Sequence, residues 1–562
     1  MTEIELRVKQ LYPDHYQETA KKVENLMGKW KGKIKEKKSW IDQTDVLLIT
    51  YGDGIKEKNS PSLPVLKRFA DEELKGYISG IHLLPTFPYT SDDGFSVSDF
   101  RSIRRELGDW EDIQSLGQSY DLMLDAVVNH ASRESEYFQG FLKGEEGYRD
   151  FFIEADPSED YSMVTRPRAL PLLTAFETDG RKVYVWTTFS EDQIDFNYKN
   201  DNVLLEILDI LLFYASKGAG FIRLDAAGFI WKEGGTTCMN LPQAHEVVKL
   251  MRLVLDRCAP GCTIITETNV PHQENIRYFG NGFDEAGLVY QFPLPPLTFY
   301  SFISGSAVEL SRWAETLEKT SDKTAYFNFL ASHDGIGIRP VEDILTQEQK
   351  QLMADTAVER GGLVSFRSMP DGSEIPYELN ISYLSAIAGD EKDIRKKVQK
   401  FMASQCILLS VMGLPAIYYH SLLGSENCRE EYLSSGIKRR INREKLDYGR
   451  LKAEIHTPGS LRNLVFEEYK KLISIRKRYQ AFAPNSPQKV LETDPRLFVL
   501  VRGDGEDEIL VLVNVSNETV QLDTGYNGAE LLTGSPVNGR LEVPPYGYMW
   551  VKTGENYDRQ ME

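Results

Sequence analysis

Side chains able to do chemistry gather in four short stretches of this 562-residue chain. They are Asp125 with Asn129-His130, Arg223 with Asp225, Glu267 with Asn269, and His333-Asp334. Each ends or directly follows a short apolar run. A lone aspartate before a glycine-containing turn also suits a helix cap or the turn itself. Several carboxylates in one pocket are another matter, because their mutual repulsion is tolerated only where a reaction needs it. Two carboxyl groups flanking an acetal carbon perform glycosyl transfer. One attacks or stabilises C1, and the other protonates the departing oxygen. On that chemistry Glu267 needs a raised pKa to act as acid, and Asp225 beside Arg223 stays ionised. Asp334 is then free to bind sugar hydroxyls and favour a distorted ring. No glycine-rich phosphate loop, Ser-His-Asp pattern or zinc-ligand spacing competes with this reading.

Convergence of these stretches demands a frame. Apolar runs at 46–50, 80–84, 122–128, 219–224, 263–266, 288–292, 325–330 and 415–419 alternate with helical stretches. Eight such runs predict an α/β fold, a (β/α)8 TIM barrel spanning residues 41–484, with its catalytic mouth at the C-terminal strand ends. Residues 131–200 are rich in aromatics and turns and include a strand-like VYVWTTF. They are too long for a βα loop and predict a small domain inserted after strand three. A second excursion, 339–397, contains GGLVSFRSMPDGSEIP and suits a lid, an acceptor loop or a plain surface loop. Residues 1–40 carry Tyr16, Ala20, Val23, Met27 and Trp30 at helical spacing, which predicts a helix packed outside the barrel. Alternation around GDGED predicts a hairpin within a C-terminal antiparallel β domain, 485–562.

Acidic residues outnumber basic ones, 84 to 65, for a formal charge of −19. That excludes nucleic acid and an anionic membrane as expected partners, though not a small anion held by local arginines. The N-terminus lacks an apolar signal core and no stretch reaches membrane-spanning length, so a cytoplasmic protein is expected. The 5 cysteines suggest no disulfide framework, and Cys258 and Cys262 lack further ligands at metal spacing. Oligomeric state is not legible.

DAVVNH, GFIRLDAAG, the Glu267 stretch and SHDG resemble, in order, four motifs of the α-amylase-type glycoside hydrolases, glycoside hydrolase family 13. The resemblance spans residues 40–555. It implies Asp225 as nucleophile, Glu267 as general acid/base and Asp334 as transition-state stabiliser. It also implies His130 and His333 as sugar ligands and Arg223 as orienter of the nucleophile. Asp92 and Arg443 would clamp the far hydroxyls of the glucosyl ring, with Phe95 as a platform. LDAAGFIWKEGGTTC, HDGIG, PLPPL, RPR at 166–168 and INR at 441–443 look like the sucrose phosphorylase branch. The calcium positions of metal-dependent amylases are not recognisable, so the resemblance implies no metal and no cofactor. Inorganic phosphate is instead the second substrate.

Within that branch, phosphate would replace water in the second step and yield α-glucose 1-phosphate with retention. Arg168 and Tyr377 are the candidate donors to it. Three departures bear on the acceptor: Ala331-Ser332 replaces Asp-Thr, Tyr377-Glu378 replaces Tyr-Gln, and Phe229 stands at the place of a phosphate-contacting tyrosine. NFLASHDGIGIRP is similar to the glucosylglycerate phosphorylases. Arg339 and Arg168 would then neutralise a glycerate carboxylate or phosphate, or would serve only as structural ion pairs. Sucrose, sucrose 6-phosphate and glucosylglycerol phosphorylase, or an α-glucosidase, remain alternatives. Non-catalytic amylase-like transporter partners lack the carboxylates and carry a membrane anchor.

Overall fold

The computed structural model describes residues 1–562 except 38–39, 169, 179, 369–373 and 554–562. Eight parallel strands close into a barrel: β1 (Leu47–Thr50), β2 (Gly80–Leu83), β3 (Asp121–Val127), β4 (Ala219–Asp225), β5 (Thr263–Thr266), β6 (Leu288–Tyr290), β7 (Ala325–Asn328) and β8 (Leu414–Tyr418). All eight expected runs are strands, with ends displaced by a residue or two where the apolar run continues into the following loop. Every residue of β1, β4 and β5 is buried, which is why these strands read as unbroken apolar runs and not as alternating ones. Strand β4 lies between β3 and β5, and its register sets Asp125 opposite Arg223 and Val127 opposite Asp225.

The stretch after β3 forms the inserted unit. His130–Ser132 pairs antiparallel with Gln193–Asp195, and Leu173–Thr178 pairs with Arg181–Trp186. The excursion after β7 is mostly regular structure. It holds the helix Gln347–Glu359, the antiparallel pair Leu363–Ser368 and Glu374–Asn380, and the helix Tyr383–Ala388. The middle of its glycine- and proline-containing segment, 369–373, lies outside the described residues. Strand Glu374–Asn380 also pairs with Ile336–Gly337, just beyond His333-Asp334. Gly335 permits this contact, because a Cβ there would stand 2.6 Å from the Leu379 carbonyl oxygen.

The N-terminal segment holds two helices, not one: α1 (Glu3–Leu11) and α2 (Tyr16–Trp30). Pro13 lacks an N–H and restricts the residue before it, so the chain turns between them. Both pack outside the barrel. Arg7 reaches Glu246 at 3.2 Å and Asp284 at 3.0 Å, and the Trp30 indole donates to Asp209 at 2.7 Å.

The described C-terminal residues form a 6-stranded antiparallel sheet in which Leu497–Arg502 and Ile509–Asn514 make the expected hairpin. Arg502 ties this sheet to the barrel domain. It is fully buried and donates to the carbonyls of Ser410 (2.6 Å) and Ala483 (2.7 Å). Burial, and then the neighbouring Arg476, lowers its pKa, so backbone dipoles alone hold this cation. Arg502→Met keeps the stem but strands those carbonyls. It should destabilise the fold by about 3 kcal/mol or more in urea unfolding, since a buried carbonyl without a partner costs about 1–3 kcal/mol. Unchanged stability would show that the sheet docks without this residue.

Candidate active site

Strand β4 carries both halves of the central ion pair. The Arg223 Nη1 donates to Asp125 Oδ1 and, at 2.9 Å, to Asp225 Oδ1. Asp225 thus stands at the strand end, where a side chain leaves the barrel interior for the mouth. Ala226 follows in the left-handed region (φ 54), a conformation that costs a Cβ-bearing residue energy. It turns its N–H onto Glu267 Oε2 at 3.0 Å, so the nucleophile turn also holds the second carboxylate. The Glu267 N–H bonds Leu224 carbonyl at 3.1 Å, extending the β4–β5 ladder by one rung.

Burial pushes the pKa of Asp225 up, and Glu267 and Asp125 add to the rise against the pull of Arg223. Burial likewise raises Glu267, with Asp334 adding to it. This modifies the expectation that Asp225 is ionised outright. The two carboxyls titrate as a pair, and each raises the other's hold on a proton. Arg223 touches Asp225, whereas Glu267 has only a backbone N–H, so the anion is better held on Asp225 and the proton on Glu267.

Asp334 differs. Burial opposes its charge, yet Arg439, His333 and Arg443 together hold its carboxyl well below the usual range. The Arg439 Nη1 lies 2.7 Å from Asp334, and its other nitrogens reach Glu378 at 2.6 and 3.0 Å. Arg439 was not singled out in the sequence, although the run KRRINR at 438–443 displays it. Arg443, expected to clamp the sugar, is buried, and its Nη2 lies 3.7 Å from Asp334. Its guanidinium donates to the His333 carbonyl (2.7 Å) and to Asp93 (2.7 Å), and it does not line the cleft. The guanidiniums that line the cleft are those of Arg168, Arg339 and Arg439.

The other expected residues, Arg223 apart, line one cleft with these carboxylates. Arg168 pairs with Asp92 at 2.8 Å, and Gln193 donates to the same Asp92 oxygen at 3.2 Å. Asp92 (φ 55) and Asp93 (φ 49) are both left-handed, a strained turn held by Arg168 on one side and Arg440 and Arg443 on the other. Phe95 presents a face to His333, with ring centres 4.8 Å apart and nearly parallel. Its carbonyl lies 2.9 Å from His130 Nε2. Burial keeps both imidazoles neutral, His130 at about 4 and His333 at about 3.

Tyr377 and Glu378 enter from strand Glu374–Asn380, and Phe229 from the turn after β4. Arg339 also lines the cleft; its polar contact is the Met239 sulfur at 3.6 Å, and among the described residues no carboxylate pairs with it. Lys232, in the loop after β4, is buried and joins Asp195 (2.6 Å) to Asn129 (2.6 Å), fixing the inserted unit to the end of β3. No group of three or more His, Cys, Asp or Glu among the described residues is placed to hold a metal ion. Nor is any described helix long and apolar enough to cross a membrane.

This geometry finds parallels in known proteins. The family described as "Alpha amylase, catalytic domain" matches residues 74–356. The chain is 48% identical to the glucosylglycerate phosphorylase of Spirochaeta thermophila, over 90% of this chain and 87% of the relative. It is 41% identical to that of Escherichia coli K12, over 92% and 93%. It is 28% identical to the sucrose phosphorylase of Streptococcus mutans, over 79% and 92%. A crystal structure of a sucrose 6F-phosphate phosphorylase from Thermoanaerobacter thermosaccharolyticum shares the fold, with TM-score 0.74 and 24% identity over 85% of this chain and 95% of that one. The chain therefore belongs to the alpha-amylase family of catalytic domains, in the group that contains these glucosyl phosphorylases.

Proposed function

We propose that this protein is a retaining glucosyl phosphorylase that converts 2-O-α-D-glucosylglycerate and inorganic phosphate into α-D-glucose 1-phosphate and glycerate. The observation that carries the acceptor is Arg339, a cleft-lining guanidinium with no carboxylate partner among the described residues. A neutral leaving group gives it nothing to pair with; a glycerate carboxylate or a phosphate does. The identities to glucosylglycerate phosphorylases, well above those to sucrose phosphorylases, support the same acceptor.

In the first step an Asp225 oxygen bonds to C1 of the glucosyl unit while the bond from C1 to the glycerate oxygen breaks. Glu267 gives that oxygen its proton, and glycerate leaves. Asp334, kept anionic by Arg439, stabilises the positive charge on the ring through its hydroxyls. His130 and His333, both neutral, add no charge of their own where they line the cleft. Phosphate then attacks C1 from the vacated face, Glu267 takes back a proton, and the bond to Asp225 breaks. Two inversions leave the product α. Arg168, Arg339 and Tyr377 hold the phosphate, and no cofactor or metal takes part in this scheme. A cytoplasmic site of action belongs to the same reading, because phosphorolysis traps the glucosyl unit as a charged sugar phosphate.

Asp225→Ala should lower kcat by about 10,000-fold or more, the scale of losing a covalent nucleophile. Near-normal turnover would refute its role. The proton shared by Asp225 and Glu267 sets the pH response. Burial raises the pKa values of the pair, so the acid form survives to higher pH than in a free carboxyl and is lost as pH rises further. The rate of glucosyl transfer should therefore fall on the alkaline side, and a flat profile to about pH 10 would exclude Glu267 as the acid. In the synthetic direction, with glucose 1-phosphate as donor, Arg339→Ala should raise KM for glycerate by about 10–100-fold, the value of one charge-assisted contact. Glycerol should be affected far less. Equal losses for both acceptors, or a wild-type preference for fructose, would reassign the acceptor, and release of glucose independent of phosphate would make the protein a hydrolase.

A further inference from the structure

Behind the sugar cleft lies a second, smaller chamber that shares Glu267, His333 and Asp334 with it. His82, at the middle of β2, opens onto this chamber and is buried. Its Nε2 lies 2.8 Å from Asp125 Oδ2. The other oxygen of Asp125 accepts from Arg223 Nη1, and the same nitrogen donates to Asp225 at 2.9 Å. Four side chains from three adjacent strands thus form one line from the chamber to the reacting oxygen. The far nitrogen of His82, together with Arg223 Nε and His333 Nδ1, has no protein partner among the described residues.

We propose that His82 is a positioning residue for the glucosyl-transfer step, acting through Asp125 to set how firmly Arg223 holds Asp225. The mechanism is a division of one nitrogen between two carboxylates. While His82 donates to Asp125, that carboxylate is partly satisfied and Arg223 remains available to Asp225. Without that donor, Asp125 draws Arg223 to itself, and Asp225 loses its counter-charge. Other groups facing Asp225 are Glu267 from the end of β5 and Asp334 beyond β7, both acidic. Arg223 further faces Tyr290 of β6, and Asp125 faces His333. None of these can replace the lost hydrogen bond, because the Asp125 oxygen concerned points to His82. The inference rests on Asp225 being the nucleophile, which Asp225→Ala tests without reference to His82.

The measurement is the acidic limb of kcat/KM for the glucosyl donor in folded variants. His82→Phe removes the donor and keeps the volume. A less well-paired Asp225 keeps its proton to higher pH, so the acidic limb should move up by about one pH unit, a tenfold change in protonation at fixed pH. His82→Gln, whose amide can reach the place of Nε2, should return the limb to its wild-type position. His82→Asn, too short to reach, serves in place of the Phe variant should that one not fold, with the same expected shift. An acidic limb that stays put in the folded Phe or Asn variant overturns the proposal. So does a Gln variant that shifts as far as Phe, because a merely structural histidine would not distinguish the two.

Discussion

The structure turns on one shared nitrogen. Arg223 Nη1 holds Asp125 and Asp225 at once, deep in a barrel where taking an ion out of water costs several kcal/mol. Neither carboxylate could be buried alone at neutral pH without taking a proton. The closed barrel supplies the constraint that makes the arrangement rigid. Register sets Asp125 opposite Arg223 on neighbouring strands, and Asp225 follows two residues on, so all three charges are fixed by backbone pairing. Asp225, the proposed nucleophile, is therefore aimed by the fold itself and not by a flexible loop.

Around this centre the mouth is a set of paired charges. Asp92 pairs with Arg168, Asp93 with Arg440 and Arg443, and Asp334 and Glu378 with Arg439. Two charged groups that line the cleft stand outside the scheme among the described residues. Glu267 accepts from a backbone N–H and forms no salt bridge, and Arg339 has a thioether and no carboxylate. Arg223 and Arg439 act on Glu267 from a distance, but burial outweighs them and raises its pKa, as a general acid requires. A guanidinium without a carboxylate keeps its charge for a ligand. In the proposed reaction these two exceptions are the proton donor and the charge that meets the acceptor.

Much of this was legible in the sequence, for a physical reason. Barrel strands buried on both faces must be apolar throughout, so the polar residue that ends each run marks the mouth. Asp225, Glu267 and Asp334 stand out on that ground. Arg439 does not, because its partner Glu378 is 61 residues away and nothing local distinguishes one arginine of KRRINR from another. Arg443 was expected at the sugar; the strained turn at Asp93 offers it an anion at 2.7 Å, while Asp334 lies 3.7 Å away. The shared proton of Asp225 and Glu267 was half legible. Neighbouring carboxylates imply repulsion, but the desolvation that raises both is a sum over the whole enclosing fold.

The way acceptor recognition is attached to catalysis follows from backbone pairing as well. Strand Glu374–Asn380, which carries Tyr377 and Glu378, is hydrogen-bonded to Ile336–Gly337, just beyond Asp334. Gly335 lets the two backbones approach this closely, and Arg439 locks the pair by bridging Glu378 to Asp334. The strand proposed to meet the acceptor and the carboxylate proposed to steady the sugar are thus tied together. Residues along the strand can change which acceptor fits while the ladder keeps Asp334 in place. A shared chemistry with several acceptors is what such a construction allows: the first half-reaction is built into the barrel, and the choice of leaving group is built into a strand clamped to its rim.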